Sequence, residues 1–141
     1  MMRLSLQTDY ALRTLLFLAT RTRRTTVADV ASFFGISAHH VGKVVHQLGQ
    51  RGYVRNHRGP TGGIELAKAP AEITVGRVVI DFEGNVHLLE CVGAPNRCVI
   101  QPGCTLRGVL AEAERLQMEY LDGVTLESLL PTPRDLTVFK A

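Results

Sequence analysis

Two short amphipathic segments joined by three residues constrain the fold of this 141-residue chain more than any other feature. The first segment reads TTVADVASFFGIS and the second reads SAHHVGKVVHQLGQRG. Between their apolar stripes, Gly35 can adopt a left-handed backbone, Ile36 can point inward and Ser37 can cap the next helix. The apolar residues at helical spacing are Val27, Val30, Ala31 and Phe34 before the turn, and Val41, Val44, Val45 and Leu48 after it. This order predicts a helix-turn-helix.

A glycine-rich hairpin is predicted directly after the second helix. In YVRNHRGPTGGIELAK, residues alternate on both sides of RGPTGG, whose glycines permit unusual backbone angles at the tip. A generic helical hairpin could also show the helix-turn-helix pattern, but the added basic hairpin is typical of a winged helix. The predicted fold is therefore mainly α-helical with a small β wing.

The predicted DNA-contacting residues lie on the second helix and on the wing. Side chains near the start of a recognition helix face base edges in the major groove. The candidates are Ser37, His39, His40, Lys43 and His46 at the helix, and Arg55, Arg58, Thr61 and Gly62 on the wing. Their alternative role is that of an ordinary solvated surface.

The distribution of charge favours DNA as the partner. Residues 1–68 hold ten lysines and arginines against three acidic residues, whereas residues 69–141 hold six against ten. A basic half joined to an acidic half indicates that the first half meets a polyanion.

Three more helices are predicted outside the helix-turn-helix. The first covers Leu6 to Leu18 and ends in a basic cluster that complements its dipole, and another starts after Thr74. The last lies in TLRGVLAEAERLQMEYLDG, with an apolar stripe of Leu106, Val109, Leu110, Ala113, Leu116 and Tyr120. A second copy of the chain is the predicted partner of this stripe, which gives a homodimer; packing on the chain's own first helix is the alternative.

The chain is predicted to divide into three parts. Residues 1–70 form the winged helix-turn-helix domain, and residues 71–130 carry the cysteine loop and the dimerisation helix. Residues 131–141, rich in Pro and Thr, form a flexible tail.

All three cysteines lie in one irregular segment, at Cys91, Cys98 and Cys104. Their spacing lacks the close pair of a zinc site, whereas thiolates on a loop rich in Gly and Pro suit an iron–sulfur cluster. Three thiolates leave one iron without a thiolate ligand, and His87, a distant residue or a small molecule could fill that place. Arg107 cannot, because a guanidinium does not deprotonate. Buried, inert thiols are the alternative.

Composition and missing motifs argue against several other classes. The chain is 45% hydrophobic and 21% charged, as in soluble globular proteins, and no apolar run approaches the ~18 residues of a membrane span. No signal-peptide pattern is present, so we expect a cytoplasmic protein with reduced thiols and no membrane partner. Without a P-loop, dinucleotide fingerprint or nucleophile motif, the chain is predicted not to be an enzyme.

The segments LSLQTDYALRTLLFLA, RGPTGGIELAK and LLECVGAPNRCVIQPGCTLRGVLAEA together resemble the Rrf-type family of winged-helix regulators, over residues 2–125. The cysteine segment is most similar to the nitric-oxide-sensing repressors of that family. Another branch has a histidine three residues after the third cysteine, where this chain has Arg107.

The resemblance implies a homodimeric repressor on palindromic operator DNA, released when nitric oxide destroys an iron–sulfur cluster. It favours one 4Fe–4S cluster per subunit, with a 2Fe–2S sensor of redox state or iron supply as the alternative. It further implies that Asp9 from the opposite subunit completes the coordination. Taken alone, Asp9 is an acidic residue in a first helical turn, where the helix dipole favours it.

Overall fold

The computed structural model describes residues 3–95 and 97–131. In these ranges the helices are α1 (Leu6–Ala19), α2 (Val27–Phe34), α3 (Ala38–Gln50), α4 (Val75–Glu83), α5 (Glu90–Gly93) and α6 (Thr105–Asp122), and the strands are β1 (Val54–His57) and β2 (Gly63–Leu66). The architecture is mainly helical with a small sheet, as predicted. None of the described helices is both long and apolar enough to cross a membrane. Most of the predicted flexible tail, residues 132–141, lies outside the described residues.

The helix-turn-helix is present as predicted. Thr26 and Asp29 form a capping box at the start of α2, each side chain accepting from the other's backbone N–H at 2.9–3.1 Å. Gly35 ends α2 in the left-handed conformation, with φ of 64°. Ser37 takes the N-cap position of α3 as predicted, but its side chain makes no hydrogen bond to the helix.

The wing is a two-stranded antiparallel hairpin in which His57 lies opposite Gly63. A third segment joins it, because the Thr25 N–H and carbonyl bond to Ile64 at 3.0 and 2.7 Å. At the tip, a Cβ on Gly62 would collide with the carbonyl oxygen of His57, so the turn requires glycine there. The wing is thereby anchored to the segment that leads into α2.

One hydrophobic core joins the winged helix to the segments after residue 70. Ile73, Val78 and Leu126 belong to the same buried cluster as the core residues of α1, α2, α3 and the wing. The Tyr53 hydroxyl donates to Asp81 Oδ2 at 2.6 Å, and burial together with this bond raises the pKa of Tyr53. These later segments therefore pack on the winged helix, and the domain division at residue 70 stays a prediction.

The end of α1 differs from the prediction. The helix runs to Ala19, and its last turn holds no basic residue. The predicted basic cluster at the helix end is therefore wrong, since Arg21, Arg23 and Arg24 follow the cap at Thr20. The Arg21 guanidinium instead lies 4.2 Å from the centre of a core phenylalanine ring.

One face of α6 is left uncovered by its own chain. The helix packs mainly against α4 and α5, and the chain after it returns to α4, where Leu126 N–H donates to Ile73 O at 2.9 Å. The exposed fractions of Leu106, Val109, Leu116 and Tyr120 are 57%, 63%, 53% and 73%. The alternative in which this stripe packs on α1 of the same chain is wrong for these four residues.

Candidate DNA-binding face and cysteine loop

The exposed side of α3 carries the predicted recognition residues. Val41, Val44, Val45 and Leu48 are buried against the core, as their spacing predicted. On the opposite side, His39, His40, Lys43 and His46 are exposed, and Ser37 is exposed just before the helix. The helix therefore presents imidazoles, one ammonium and one hydroxyl to solvent. These groups can hydrogen-bond to base edges or phosphates.

The wing presents a second basic edge. Arg55, Arg58 and Thr61 are exposed, and Gly62 is half-buried at the turn. One guanidinium nitrogen of Arg55 donates to the carbonyl of Ala67 at 3.3 Å, which holds the side chain along the wing's base. The structure thus keeps the four predicted wing residues on one hairpin.

Arg24 supports the wing tip and was missed by sequence reasoning. Its Nη1 lies 3.5 Å from the Thr61 carbonyl oxygen, although 37 residues separate the two in sequence. Across the strands, His57 Nε2 lies 2.7 Å from Glu65 Oε1, and this hydrogen bond holds the pKa of Glu65 below its usual range. No local pattern marks Arg24, because its partner is brought close only by the pairing of β2 with Thr25.

Asp9 lies in the first turn of α1 and is half-buried. In the single chain its carboxylate pairs with Arg13 Nε, one turn further along the helix, at 2.8 Å. Within a single chain, Asp9 and the cysteines do not come together as one set of ligands. Among residues 3–95 and 97–131, no group of three or more His, Cys, Asp or Glu side chains lies close enough to hold a metal ion.

Glu83 fixes the start of α1 from the end of α4. Its Oε1 accepts from the Ser5 N–H and the Thr8 hydroxyl, each at 2.6 Å. Burial acts to raise the pKa of Glu83, but these hydrogen bonds outweigh it and hold the pKa below its usual range. The carboxylate therefore sets the position of the helical turn that carries Asp9.

The three thiols occupy different settings along the cysteine segment. Cys91 lies in the four-residue helix α5 and Cys104 immediately precedes α6, and both are half-buried, whereas Cys98 is exposed. None forms a disulfide. The alternative of buried, inert thiols is wrong, since no cysteine is fully buried.

Gln101 and Arg107 hold this segment together. The buried Gln101 amide donates to the carbonyls of Ala94 (2.7 Å) and Cys91 (3.1 Å), while its oxygen accepts from the Arg97 N–H (2.6 Å). Arg107 Nε donates to the same Cys91 carbonyl at 2.6 Å. Arg107 thus supports the backbone at Cys91 rather than serving as a ligand.

His87 is oriented toward the cysteine segment by a buried carboxylate. Glu114 Oε2 lies 3.0 Å from His87 Nδ1, and Oε1 accepts from the Leu88 N–H. This contact engages Nδ1 and leaves Nε2 as the ring nitrogen that could bind a metal. The imidazole packs against Gly93, where a Cβ would collide with the ring, two residues from Cys91.

The donor chemistry of this segment fits an iron–sulfur cluster. Three unpaired thiols are the soft ligands that such clusters take, and none has a competing disulfide partner. The fourth place would fall to Asp9 of a second chain, to His87 of the same chain or to a small molecule. In the single chain the three cysteines lie on short separate elements, so binding a cluster would require the loop to draw them together.

Comparisons with known proteins identify the family of this chain. Residues 4–132 match the Rrf2 family, described as iron-dependent transcriptional regulators. The chain is 47% identical over 132 residues to the HTH-type transcriptional regulator NsrR of Geobacillus kaustophilus, covering 92% of this chain and 90% of the relative. It is 40% identical over 138 residues to the regulator of the same name from Bacillus subtilis, covering 96% and 94%.

Solved structures share the fold over nearly the whole chain. CymR, the global cysteine regulator of B. subtilis, superposes with a TM-score of 0.77 at 26% identity, covering 92% of this chain and 96% of that chain. IscR from T. potens, at 22% identity, shares the fold with a TM-score of 0.73 over 90% and 85% of the two chains. These matches confirm the predicted winged-helix fold and the prediction that the chain is no enzyme. The chain belongs to the Rrf2 family of DNA-binding transcriptional regulators.

Proposed function

We propose that this protein is a cytoplasmic repressor that binds palindromic operator DNA as a homodimer and is released when nitric oxide destroys its iron–sulfur cluster. The observation that carries the proposal is the placement of three free thiols in one segment between the DNA-binding half and α6. Similarity to regulators named NsrR over more than nine-tenths of the chain supports it.

Contact with DNA would be made by α3 and the wing. The exposed side of α3 suits the major groove, and the exposed Arg58 at the wing suits phosphates or the minor groove. Dimers of helix-turn-helix units read half-sites roughly 34 Å apart, so the spacing between the two α3 helices decides operator affinity.

The exposed apolar stripe on α6 supports the homodimer. Leu106, Val109, Leu116 and Tyr120 are each more than half exposed in the single chain, and their spacing puts them on one side of the helix. A second copy of the same helix would bury them symmetrically. The two-fold axis of that dimer would match a palindromic operator.

The cluster would be held by Cys91, Cys98 and Cys104, with Asp9 of the second subunit as the fourth ligand. When bound, the cluster supplies iron atoms that react with nitric oxide. Arg13 Nε pairs with Oδ1 of Asp9 at 2.8 Å, so Oδ2 of the same carboxylate would be the atom that binds iron. The cysteine segment of one subunit would then be tied to α1 of the other, which fixes the separation of the α3 helices. We favour a 4Fe–4S cluster, as the family resemblance of the cysteine segment implies.

An Asp9→Ala variant tests the fourth ligand, with Arg13→Ala as the matched control. Both variants break the same ion pair, but only Arg13→Ala keeps the carboxylate. We expect anaerobically purified Asp9→Ala to contain less iron and sulfide and to bind operator more weakly, while Arg13→Ala retains its cluster. Equal cluster content in both variants would contradict the role of Asp9.

A test of the whole function uses anaerobic wild-type protein and DNA retardation. Operator binding should be strong before nitric oxide is added and weak afterwards. Metal-free protein that retards operator as strongly as the loaded form would rule out cluster control.

The His87–Glu114 pair favours a second candidate, a 2Fe–2S sensor of redox state or iron supply. The imidazole presents Nε2 beside Gly93 while Glu114 holds Nδ1, so one subunit could supply three thiolates and one imidazole without Asp9. Mössbauer spectra of anaerobic protein distinguish the cluster types. Loss of the cluster in His87→Ala together with its retention in Asp9→Ala would favour this candidate.

A further inference from the structure

Two aliphatic side chains directly after Cys98 point into solvent. Val99 is 98% exposed, more than any other large hydrophobic side chain in the described ranges, and Ile100 is 65% exposed. Neither has a packing role in the single chain, whereas Gln101 beside them is buried. Adjacent exposed aliphatic residues on an otherwise polar loop indicate a surface that is covered in the assembled protein.

An open cleft lies between α1 and α3. Its volume is about 190 Å³, and its walls include Leu6 and Tyr10 from α1 and His40 and Val44 from α3. A cavity of roughly 150 Å³ already accepts a benzene ring, so this cleft can take one or two aliphatic side chains. Leu6 is itself 64% exposed, and the rings of Tyr10 and His40 lie 6.5 Å apart across the cleft.

The cleft and Asp9 share one end of α1. At about 100° per residue, Leu6 lies roughly 60° and Tyr10 roughly 100° around the helix from Asp9. If Asp9 reaches the partner's cluster, the partner's Cys98 must lie against this end of α1. Ile100 is two residues beyond Cys98, which allows at most about 7 Å of further reach. The cleft is therefore within reach of the partner's aliphatic pair.

We propose that Val99 and Ile100 of one subunit insert into the α1–α3 cleft of the other, so that the cysteine loop bears directly on the partner's recognition helix. This inference rests on the proposed homodimer and on Asp9 as a ligand across it. The cleft is lined on α3 by His40, Lys43, Val44 and Gln47, so the inserted pair lies beside two of the residues predicted to contact DNA. His39 and His46, about a quarter turn or more around the helix from His40, stay uncovered.

This contact links loss of the cluster directly to release of the operator. While the cluster holds the loop against the partner's α1, the aliphatic pair stays in the cleft. When the loop is freed, the pair withdraws, and α3 loses an apolar support on its flank. The recognition helix is then less firmly held in the orientation that the half-site requires.

The first test is a Val99→Ser/Ile100→Ser double variant, with Leu129→Ser as the control because Leu129 is exposed outside the loop. We expect the loaded double variant to keep its cluster and its dimer but to bind operator at least about tenfold more weakly, which is 1.4 kcal/mol. Leu6→Ser should weaken binding similarly, and adding it to the double variant should cause little further loss. Wild-type operator affinity in a loaded, dimeric double variant would overturn the inference.

The second test does not depend on cluster retention in a serine variant. A photo-crosslinking phenylalanine analogue at position 100 of anaerobic loaded protein should join two subunits, and peptide mapping should place the crosslink on α1 or α3 of the partner. Nitric oxide should abolish the crosslink. Crosslinks within one chain, to operator DNA or to another surface of the partner would overturn the inference. A monomer, or a cluster indifferent to Asp9, would instead overturn the proposed function on which it rests.

Discussion

The buried side chain of Gln101 bridges the two sides of the cysteine segment. It satisfies the carbonyls of Cys91 and Ala94 and the N–H of Arg97, so one amide fixes both sides of the loop. A buried polar group that loses its partner costs about 1–3 kcal/mol, because it has no water to replace the bond. The conformation around Cys91 therefore depends on a residue that is not itself a ligand.

Replacing Gln101 with Leu should loosen the loop without removing a thiol. We expect the free energy of unfolding to fall by about 2 kcal/mol, from backbone groups left unpaired. Cluster loss in air, followed by absorbance, should be several-fold faster than in wild type. Gln117→Leu, at an exposed position on α6, is the control. An unchanged cluster lifetime in Gln101→Leu would contradict the role of the amide.

The salt dependence of operator affinity should show which charged residues contact DNA. Lys43→Ala and Arg58→Ala should each lower the slope of log affinity against log salt by about 1, because each removed phosphate contact releases one counterion fewer. Arg77→Ala, on α4, should leave the slope unchanged. Unchanged slopes in both Lys43→Ala and Arg58→Ala would place these charges away from DNA.

At the scale of elements, α1 and α4 meet through one carboxylate. Glu83 at the end of α4 accepts hydrogen bonds from Ser5 and Thr8 at the start of α1. Because these bonds hold its pKa below the ordinary glutamate value of about 4.3, the folded state binds this proton less readily than the unfolded state. The ionised Glu83 carboxylate therefore stabilises the fold fully above a pH of about 4.3, and this stabilisation is lost as the pH falls through the folded-state pKa.

A Glu83→Gln variant should therefore change how the free energy of unfolding depends on pH. In metal-free protein at pH 7 we expect a loss of about 1 kcal/mol, since a charge-assisted bond becomes a neutral one. The difference from wild type should shrink as the pH is lowered below about 4. Thermal unfolding at several pH values measures it. A difference that stays constant from pH 7 to pH 3 would contradict the assignment.

At the scale of the whole molecule, α6 presents an apolar face that the single chain does not cover. Leu116 and Val109 lie on this face, whereas Arg115 lies on another side of the helix and pairs with Glu112 and Glu119. Buried apolar area contributes about 25 cal/mol per Å², which acts against the entropy lost on association, so burial of this face favours a dimer. The same helix packs on α4, which connects the interface to the core.

A Val109→Glu/Leu116→Glu variant should be folded but monomeric. Four buried carboxylates, two from each subunit, are unfavourable at a symmetric interface because they must be desolvated together. We expect sedimentation to show a monomer, circular dichroism to remain that of wild type, and operator affinity to fall at least about 100-fold, or 2.7 kcal/mol. Arg115→Ala should stay dimeric. A stable dimer of the double variant would place the interface elsewhere.

The winged helix was predictable because its signals are local. Gly35, the periodic valines of α3 and the glycine-rich turn each act within a few residues of the structure they specify. The N-cap position of Ser37 was predictable for the same reason, although its side chain makes no capping bond. The three cysteines in one segment also predict an iron–sulfur cluster, because ligand type is a property of the sequence, and that cluster stays a proposal.

The contacts that organise the candidate site were decided only by tertiary structure. Glu83 meets Thr8 across 75 residues, Glu114 meets His87 across 27, and Arg24 meets Thr61 across 37. Such pairs leave no periodic or spacing signal, since neither member is marked as a partner by the residues next to it in sequence. Likewise, the stripe on α6 is visible in the sequence, but only packing determines that its own chain leaves it exposed. Local backbone preferences are encoded residue by residue, whereas partners distant in sequence exist only once the chain has folded.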